Sequence, residues 1–217
     1  LEYVTLHSLR KKNTVKIHIM RHGESEANVN HILAGQLDYP LSEKGKQDAH
    51  QIASWYTSHY NPKIIYCSPL LRAKQTAEPF VVATPIPLTI DARLMEQNLG
   101  VLSGKTYEEA ESDPRYETNK SARWDWNIKG GESYKDIATR IQSFFIGLDP
   151  DEPDTLIFTH AVAMRLIRGL LENTLPLYPE HIARNGEIWE VNFEKVGVSH
   201  EITSLFADSV AYEEHRS

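Results

Sequence analysis

Val15-Lys-Ile-His-Ile-Met-Arg-His-Gly-Glu24 is the stretch on which the fold turns. From Val15 to Met20 apolar and polar side chains largely alternate and β-branched residues are frequent, the pattern of a strand. The strand runs straight into Arg21-His22, so a guanidinium and an imidazole are expected at its carboxyl end. Downstream, Ser42 caps a helix whose apolar residues Ala49, Ile52, Ala53 and Tyr56 fall at helical spacing. Lys63-Ile-Ile-Tyr-Cys67 then reads as a second, buried strand. After it, Ser68-Pro69 has the form of an N-cap and first helical residue, opening a helix that carries Arg72 and is broken by Pro79, Pro85 and Pro87.

Leu88-Thr-Ile90 is a third strand leading to Arg93 and Glu96. Between Gly100 and Gly131 the periodicity weakens into an elaborated loop, with a capping-box spacing at Thr106-Tyr-Glu-Glu109 and no assignment for Trp124 and Trp126. Ser133 caps a helix with Ile137, Ile141, Phe144, Phe145 and Leu148 on one face, ended by Pro150 and Pro153. Thr155-Leu-Ile-Phe158 is a compact strand that delivers Thr159-His160, followed by a helix marked by Ala163, Leu166, Ile167, Leu170 and Leu171. Glu187 to Phe193 and Glu201 to Leu205 are the last two strands. This alternation predicts a three-layer α/β/α architecture with a mainly parallel central sheet, organised as one domain over residues 1–217.

Composition narrows the function. Thirty acidic residues against twenty-three basic ones leave a net charge of −7 across 217 residues, which argues against coating nucleic acid or an anionic membrane. No apolar run approaches the roughly 18 residues of a membrane span. The lone Cys67 cannot form an internal disulfide, which fits a reducing, cytoplasmic setting. The chain opens on Leu1 rather than Met, so its start says little about targeting. Nothing in the sequence fixes whether the chain forms a homo-oligomer.

In parallel sheets ligands bind beyond the carboxyl ends of the strands. There the topology collects Arg21, Arg72 and the Arg93–Glu96 segment with His22, His160 and a helix N-terminus. Guanidinium forks and backbone donors suit a phosphoryl group, which carries roughly −1.5 to −2 at neutral pH as a monoester. Either histidine can be a nucleophile if its free ring nitrogen is unprotonated and its other nitrogen donates to a carbonyl. The second then stabilises the oxygens of the transferring group. Glu96 can protonate a leaving alkoxide and later deprotonate a water.

Two other motifs carry less. Gly100-Val-Leu-Ser-Gly-Lys-Thr106 imitates a phosphate-binding loop but has three residues between its glycines where the motif has four. His18 and His22 have a zinc-ligand spacing only on a helix, and here they lie on a strand end, so no metal is expected. Cys67 reads as strand filling.

The chain resembles the histidine phosphatase superfamily in its phosphoglycerate-mutase-like branch. Arg21-His22-Gly23-Glu24 matches the opening signature, with Asn28 where a phosphate-contacting asparagine continues it. Ser68-Pro-Leu-Leu-Arg-Ala-Lys-Gln-Thr-Ala77 is similar to the second signature. Leu94-Met-Glu96 through Gly100, Gly130-Gly-Glu-Ser133 and Thr159-His160 follow in the family's order. The resemblance implies phosphoryl transfer to His22, with Arg21, Asn28, Arg72 and His160 around the phosphate, Glu96 as proton donor and acceptor, a small phosphorylated substrate, and no metal or organic cofactor. Ala161 stands where the family usually has glycine, and its methyl group is expected to narrow the pocket or tilt the imidazole. The segment between Glu96 and Gly130 is short for a mutase lid, which favours hydrolysis of phosphate monoesters over a phosphoglycerate mutase. A catalytically idle module that binds phospho-ligands is the third reading. Selectivity is expected from 35–39, 100–130 and 175–186.

Overall fold

The computed structural model describes residues 14–148 and 153–205. Its sheet has six strands in the order β3-β2-β4-β1-β5-β6. These are β1 (Val15–Arg21), β2 (Ile64–Cys67), β3 (Leu88–Ile90), β4 (Thr155–Thr159), β5 (Ile188–Phe193) and β6 (Thr203–Ser204). The four strands β3, β2, β4 and β1 are mutually parallel, while β5 runs antiparallel to β1 and β6 antiparallel to β5. The sheet is therefore mainly parallel, with an antiparallel pair at one edge. β6 is only two residues long, shorter than the expected 201–205, because it pairs only with Trp189 and Glu190 of β5.

Period-two alternation sorts each strand between two cores. Ile17, Ile19, Ile157, Trp189 and Val191 face the helices α5 (Tyr134–Ile146) and α6 (Ala161–Leu171). Met20, Ile65, Cys67, Leu156, Phe158 and Ile188 face α2 (Glu43–His59) and α3 (Leu71–Ala83). Burying Ile141, Phe144 and Phe145 of α5 contributes about 1.5–3 kcal/mol each, ample to dock that helix. Two short helices, α1 (Glu26–Val29) and α4 (Tyr107–Glu111), lie in the connections and both begin with capping boxes.

Ser42 and Ser133 cap α2 and α5 as expected. Ser68 does not cap α3: Leu70 holds that position without a side-chain cap, and Ser68 Oγ is instead turned inward. Pro79 does not break the helix but lies buried inside it. One lost backbone hydrogen bond, with a cost of about 3 kcal/mol for an interior proline, is offset by the buried face of Ala73, Thr76, Ala77 and Phe80. Pro85 and Pro87 do follow the helix end. α5 ends at Gly147 before either proline, and Pro150 lies outside the described residues. The 100–131 region is ordered around a small third core of Leu99, Leu102 and Ile128, packed by Leu33, Tyr116 and Trp126. Among the described residues no helix is long and apolar enough to cross a membrane.

Candidate active site

The sheet register brings the site together. Arg21 pairs with Thr159 and Cys67 with Phe158, so β1, β2 and β4 end at nearly the same level. His22 continues the ladder, its N–H donating to Thr159 O at 3.0 Å, and Ser68 N–H donates to Phe158 O at 3.0 Å. A cavity of about 290 Å³ opens over these ends and is lined by Arg21, His22, Asn28, Arg72, Glu96 and Ala161, among others.

His22 is 3% exposed. Its Nδ1 lies 2.7 Å from Gly23 O, and Arg72 Nε lies 3.2 Å from its Nε2. The carbonyl can only accept, so Nδ1 carries the proton and Nε2 keeps a lone pair aimed at the guanidinium. Burial, then the charges of Arg72 and Arg21, hold the imidazole well below its ordinary pKa. A neutral ring with an accessible lone pair is a competent nucleophile.

Arg72, in the first turn of α3, is 2% exposed, and its remaining nitrogens donate to the carbonyls of Leu37 and Gly35. Three fixed contacts leave the guanidinium little rotamer freedom, which is how a phosphate clamp is preorganised. Arg21 is anchored from the other side, with Nη1 donating to Ala183 O at 2.6 Å.

His160 is fully buried at the N-cap of α6, its ring centroid 5.2 Å from that of His22. Its Nε2 lies 2.7 Å from Ser68 Oγ, which also accepts from Leu70 N, while Nδ1 has no partner among the described residues. Ser68 Oγ, while accepting from Leu70 N, still has a proton to donate; where it gives that proton to Nε2, the ring proton sits on Nδ1. Burial first, then Arg72, His22, Arg21 and Arg140, lower the pKa of this ring as well.

Glu96 is 9% exposed and reaches the start of α6. Its carboxylate accepts the N–H groups of Val162, Ala163 and Gln97, two of them among the open donors of a helix start. Ala161 is the first residue of that helix, in ordinary helical backbone and lining the cavity. The ring of His160 beside it is held by Ser68.

Asn28 has two duties. Its Oδ1 accepts from Ser25 N and from Asn185 Nδ2, closing the capping box of α1 at the cavity wall. The expectation failed at Arg93: it forms a bidentate pair with Asp91 and donates to Ser143 O, so it braces the chain ahead of Glu96 and does not line the cavity. A carboxylate two residues away captured it before any substrate could.

Several supporting residues gave no readable signal. Asn185 Nδ2 lies within 3.2 Å of His22 O and Gly23 O, and Thr76 Oγ1 accepts from Gly23 N. Gly45 of α2 packs beneath the same loop, where a Cβ would stand 2.0 Å from Glu24 O. Thr76 falls inside the second signature, which was the one available hint. Trp126 lines the cavity, whereas Trp124 packs against the α5/α6 core. Among the described residues no group of three or more His, Cys, Asp or Glu is placed to hold a metal ion.

Comparison with known proteins identifies the family and the fold. The profile of the histidine phosphatase superfamily (branch 1) matches residues 17–202. A probable phosphoglycerate mutase, GpmB of Salmonella paratyphi C (strain RKS4594), is 31% identical over 192 residues, covering 83% of this chain and 86% of the relative. Among solved structures, mycobacterial glucosyl-3-phosphoglycerate phosphatase complexed with VO3 superposes with a TM-score of 0.78 at 26% identity, over 88% of this chain and 98% of that one. Bacillus stearothermophilus YhfR gives 0.72 at 31% identity, over 86% and 96%.

Proposed function

Because the chain belongs to the histidine phosphatase superfamily, we propose that it is a phosphatase hydrolysing phosphate monoesters through a phosphohistidine on His22. The supporting observation is the fixed, neutral His22, with Nδ1 bonded to Gly23 O and Nε2 facing Arg72.

In this reading Arg21 and Arg72 bind the phosphate and Asn28 borders it. Nε2 of His22 attacks phosphorus as the ester P–O bond breaks, and Glu96 gives its proton to the departing alkoxide. His160 donates from Nδ1 to an equatorial oxygen, where charge develops. Glu96, now ionised, takes a proton from a water that attacks the phosphohistidine. The P–N bond breaks, inorganic phosphate leaves, and His22 and Glu96 return to their starting protonation.

The name of the Salmonella relative favours a second reading, phosphoryl transfer between the oxygens of a phosphorylated sugar acid. Release of inorganic phosphate and interconversion of 3- and 2-phosphoglycerate, measured side by side, separate the two. Sustained release with a phosphorylated His22 peptide in the acid-sensitive, base-stable fraction is the expected result. Isomerisation with negligible release would replace hydrolysis by mutation of position. Phosphate binding without covalent phosphate or turnover would leave an idle binding module.

A further inference from the structure

Gln36 lies between the two residues whose carbonyls hold Arg72, while its own side chain serves a different group. Its Nε2 donates to Glu96 O at 2.9 Å and to Glu132 Oε2 at 3.3 Å. Arg140, on α5, donates to the same Glu96 carbonyl from Nη2 at 3.0 Å and to Arg93 O from Nη1 at 2.8 Å. The carboxylate of Glu132 joins the two, accepting from Arg140 Nε at 2.8 Å and from Asn98 N at 2.9 Å besides Gln36. Glu96 lines the cavity over the strand ends, whereas Gln36, Glu132 and Arg140 do not.

These contacts act on Glu96 differently from those at its carboxyl end. The N–H groups of Val162, Ala163 and Gln97 hold the carboxylate oxygens, and such bonds are strongest when the acceptor is charged. They weaken once the group is protonated and ready to act as an acid. The two bonds to the Glu96 carbonyl do not depend on that proton, so they keep the residue in place through both protonation states. Gly35, with a φ of 52°, brings the loop against this segment: a Cβ there would stand 3.2 Å from Gln97 O. One short loop thus meets Arg72 through its carbonyls and Glu96 through its amide. Misplacing reacting groups by about 1 Å costs roughly 100-fold in rate, so their relative placement carries weight.

We propose that Gln36 is a positioning residue that sets the proton-transferring carboxyl group of Glu96 in register with the phosphate clamp of Arg72. Arg140 and Glu132 are the frame against which it works. This rests on the role given to Glu96 in the hydrolytic reading above. Its own content is that the side chain of Gln36 acts on proton transfer through Glu96, while the backbone on either side of it serves Arg72.

The test is Gln36→Met, which keeps the length of the side chain and removes its donor. With an alkyl phosphate, kcat should fall about ten-fold while KM stays within about two-fold, the scale of one lost hydrogen bond. With 4-nitrophenyl phosphate, whose leaving group departs without a proton, single-turnover release of nitrophenolate should stay within about two-fold of the parent rate. In a Glu96→Gln background the same substitution should add nothing to the loss on the alkyl ester, since a residue that acts through Glu96 has nothing left to position. Equal losses on both esters, a raised KM with kcat unchanged, or losses that multiply in the double variant would overturn the proposal. Crystal structures of the parent and of Gln36→Met read the placement without turnover. Arg72 should keep its bonds to Gly35 O and Leu37 O, while the Glu96 carboxylate gives up its contacts with Val162 and Ala163. A carboxylate that has not moved would overturn the proposal. A parent protein that releases no phosphate would count against hydrolysis alone, and the two structures would still decide the role of Gln36.

Discussion

Ser68 Oγ and His160 Nε2 stand 2.7 Å apart, tying the end of β2 to the end of β4 inside a fully buried wall of the site. The contact fixes the angle of the ring, and in the proposed mechanism it thereby sets which nitrogen would meet the substrate. Ser68→Ala is expected to lower kcat about ten-fold with little change in KM, the scale of one lost buried hydrogen bond. Steady-state kinetics with an alkyl phosphate checks this, and an unchanged kcat would remove the orienting role.

Arg72→Lys keeps the charge but loses the planar fork that reaches His22, Leu37 and Gly35 together. The expected loss in kcat/KM is roughly 100-fold to 1,000-fold, as for removal of a preorganised donor at a developing charge. Retention of most activity would mean that charge alone suffices.

Glu96→Gln separates the two chemical steps. An alkyl phosphate needs a proton on its leaving oxygen, whereas 4-nitrophenolate departs without one. Turnover of the alkyl ester should fall by about 100-fold or more. With 4-nitrophenyl phosphate the variant should release a burst of one nitrophenolate per site and accumulate phosphoenzyme, because the water then lacks its base. A steady state without a burst would place the base elsewhere.

His22, His160 and His18 all have folded-state pKa values below the ordinary imidazole value, each mainly through burial. In the unfolded chain they bind protons below about pH 6.5, while in the folded chain they stay neutral. Their contribution to stability is therefore complete above pH 6.5 and declines as the pH falls from there toward the folded values, by up to about 1.4 kcal/mol per pH unit per histidine. Thermal melts from pH 7.5 to pH 5 should show a falling Tm, with a shallower slope in His160→Asn. The same depression keeps His22 nucleophilic in acid, so the acid limb of kcat/KM should lie below pH 6.5.

Gly45→Ala would press a methyl group against the Glu24 carbonyl, directly beneath the His22 loop. Backbone cannot yield as a flexible side chain does. A loss of about 1–3 kcal/mol or more is expected, together with reduced activity, because the loop that carries Gly23 O must move. Denaturant titration and kinetics on the same sample check both parts.

What could be read in the sequence was whatever depends on short-range order. Strand alternation at Val15–Met20, the caps at Ser42 and Ser133, and the succession of Arg21-His22, Arg72, Glu96 and His160 all lie within single elements or their ends. Contacts made by isolated residues across long separations were not legible. Asn185 reaches His22 from 163 positions away, and Ser68 reaches His160 from 92, with no periodicity to mark either. Arg93 misled because proximity to a strand end does not determine direction, and Asp91 claimed its side chain first. Pro79 misled because tertiary burial outweighed a local helix penalty. The cluster of Tyr134, Arg165 and Tyr178 joins three separate segments and exists only once the chain has folded.

The antiparallel strand β5 has a bearing on when the enzyme becomes able to work. The turn just ahead of it supplies Ala183 O to Arg21, Gly186 N to the carbonyls of Arg21 and His22, and Asn185 to the nucleophile loop. A nascent polypeptide that has left the ribosome only as far as Leu171 already holds all six proposed phosphate-handling residues. It still lacks the clasp that seats the first two of them. Competence for the proposed chemistry should thus arrive late in synthesis, with the final third of the sheet.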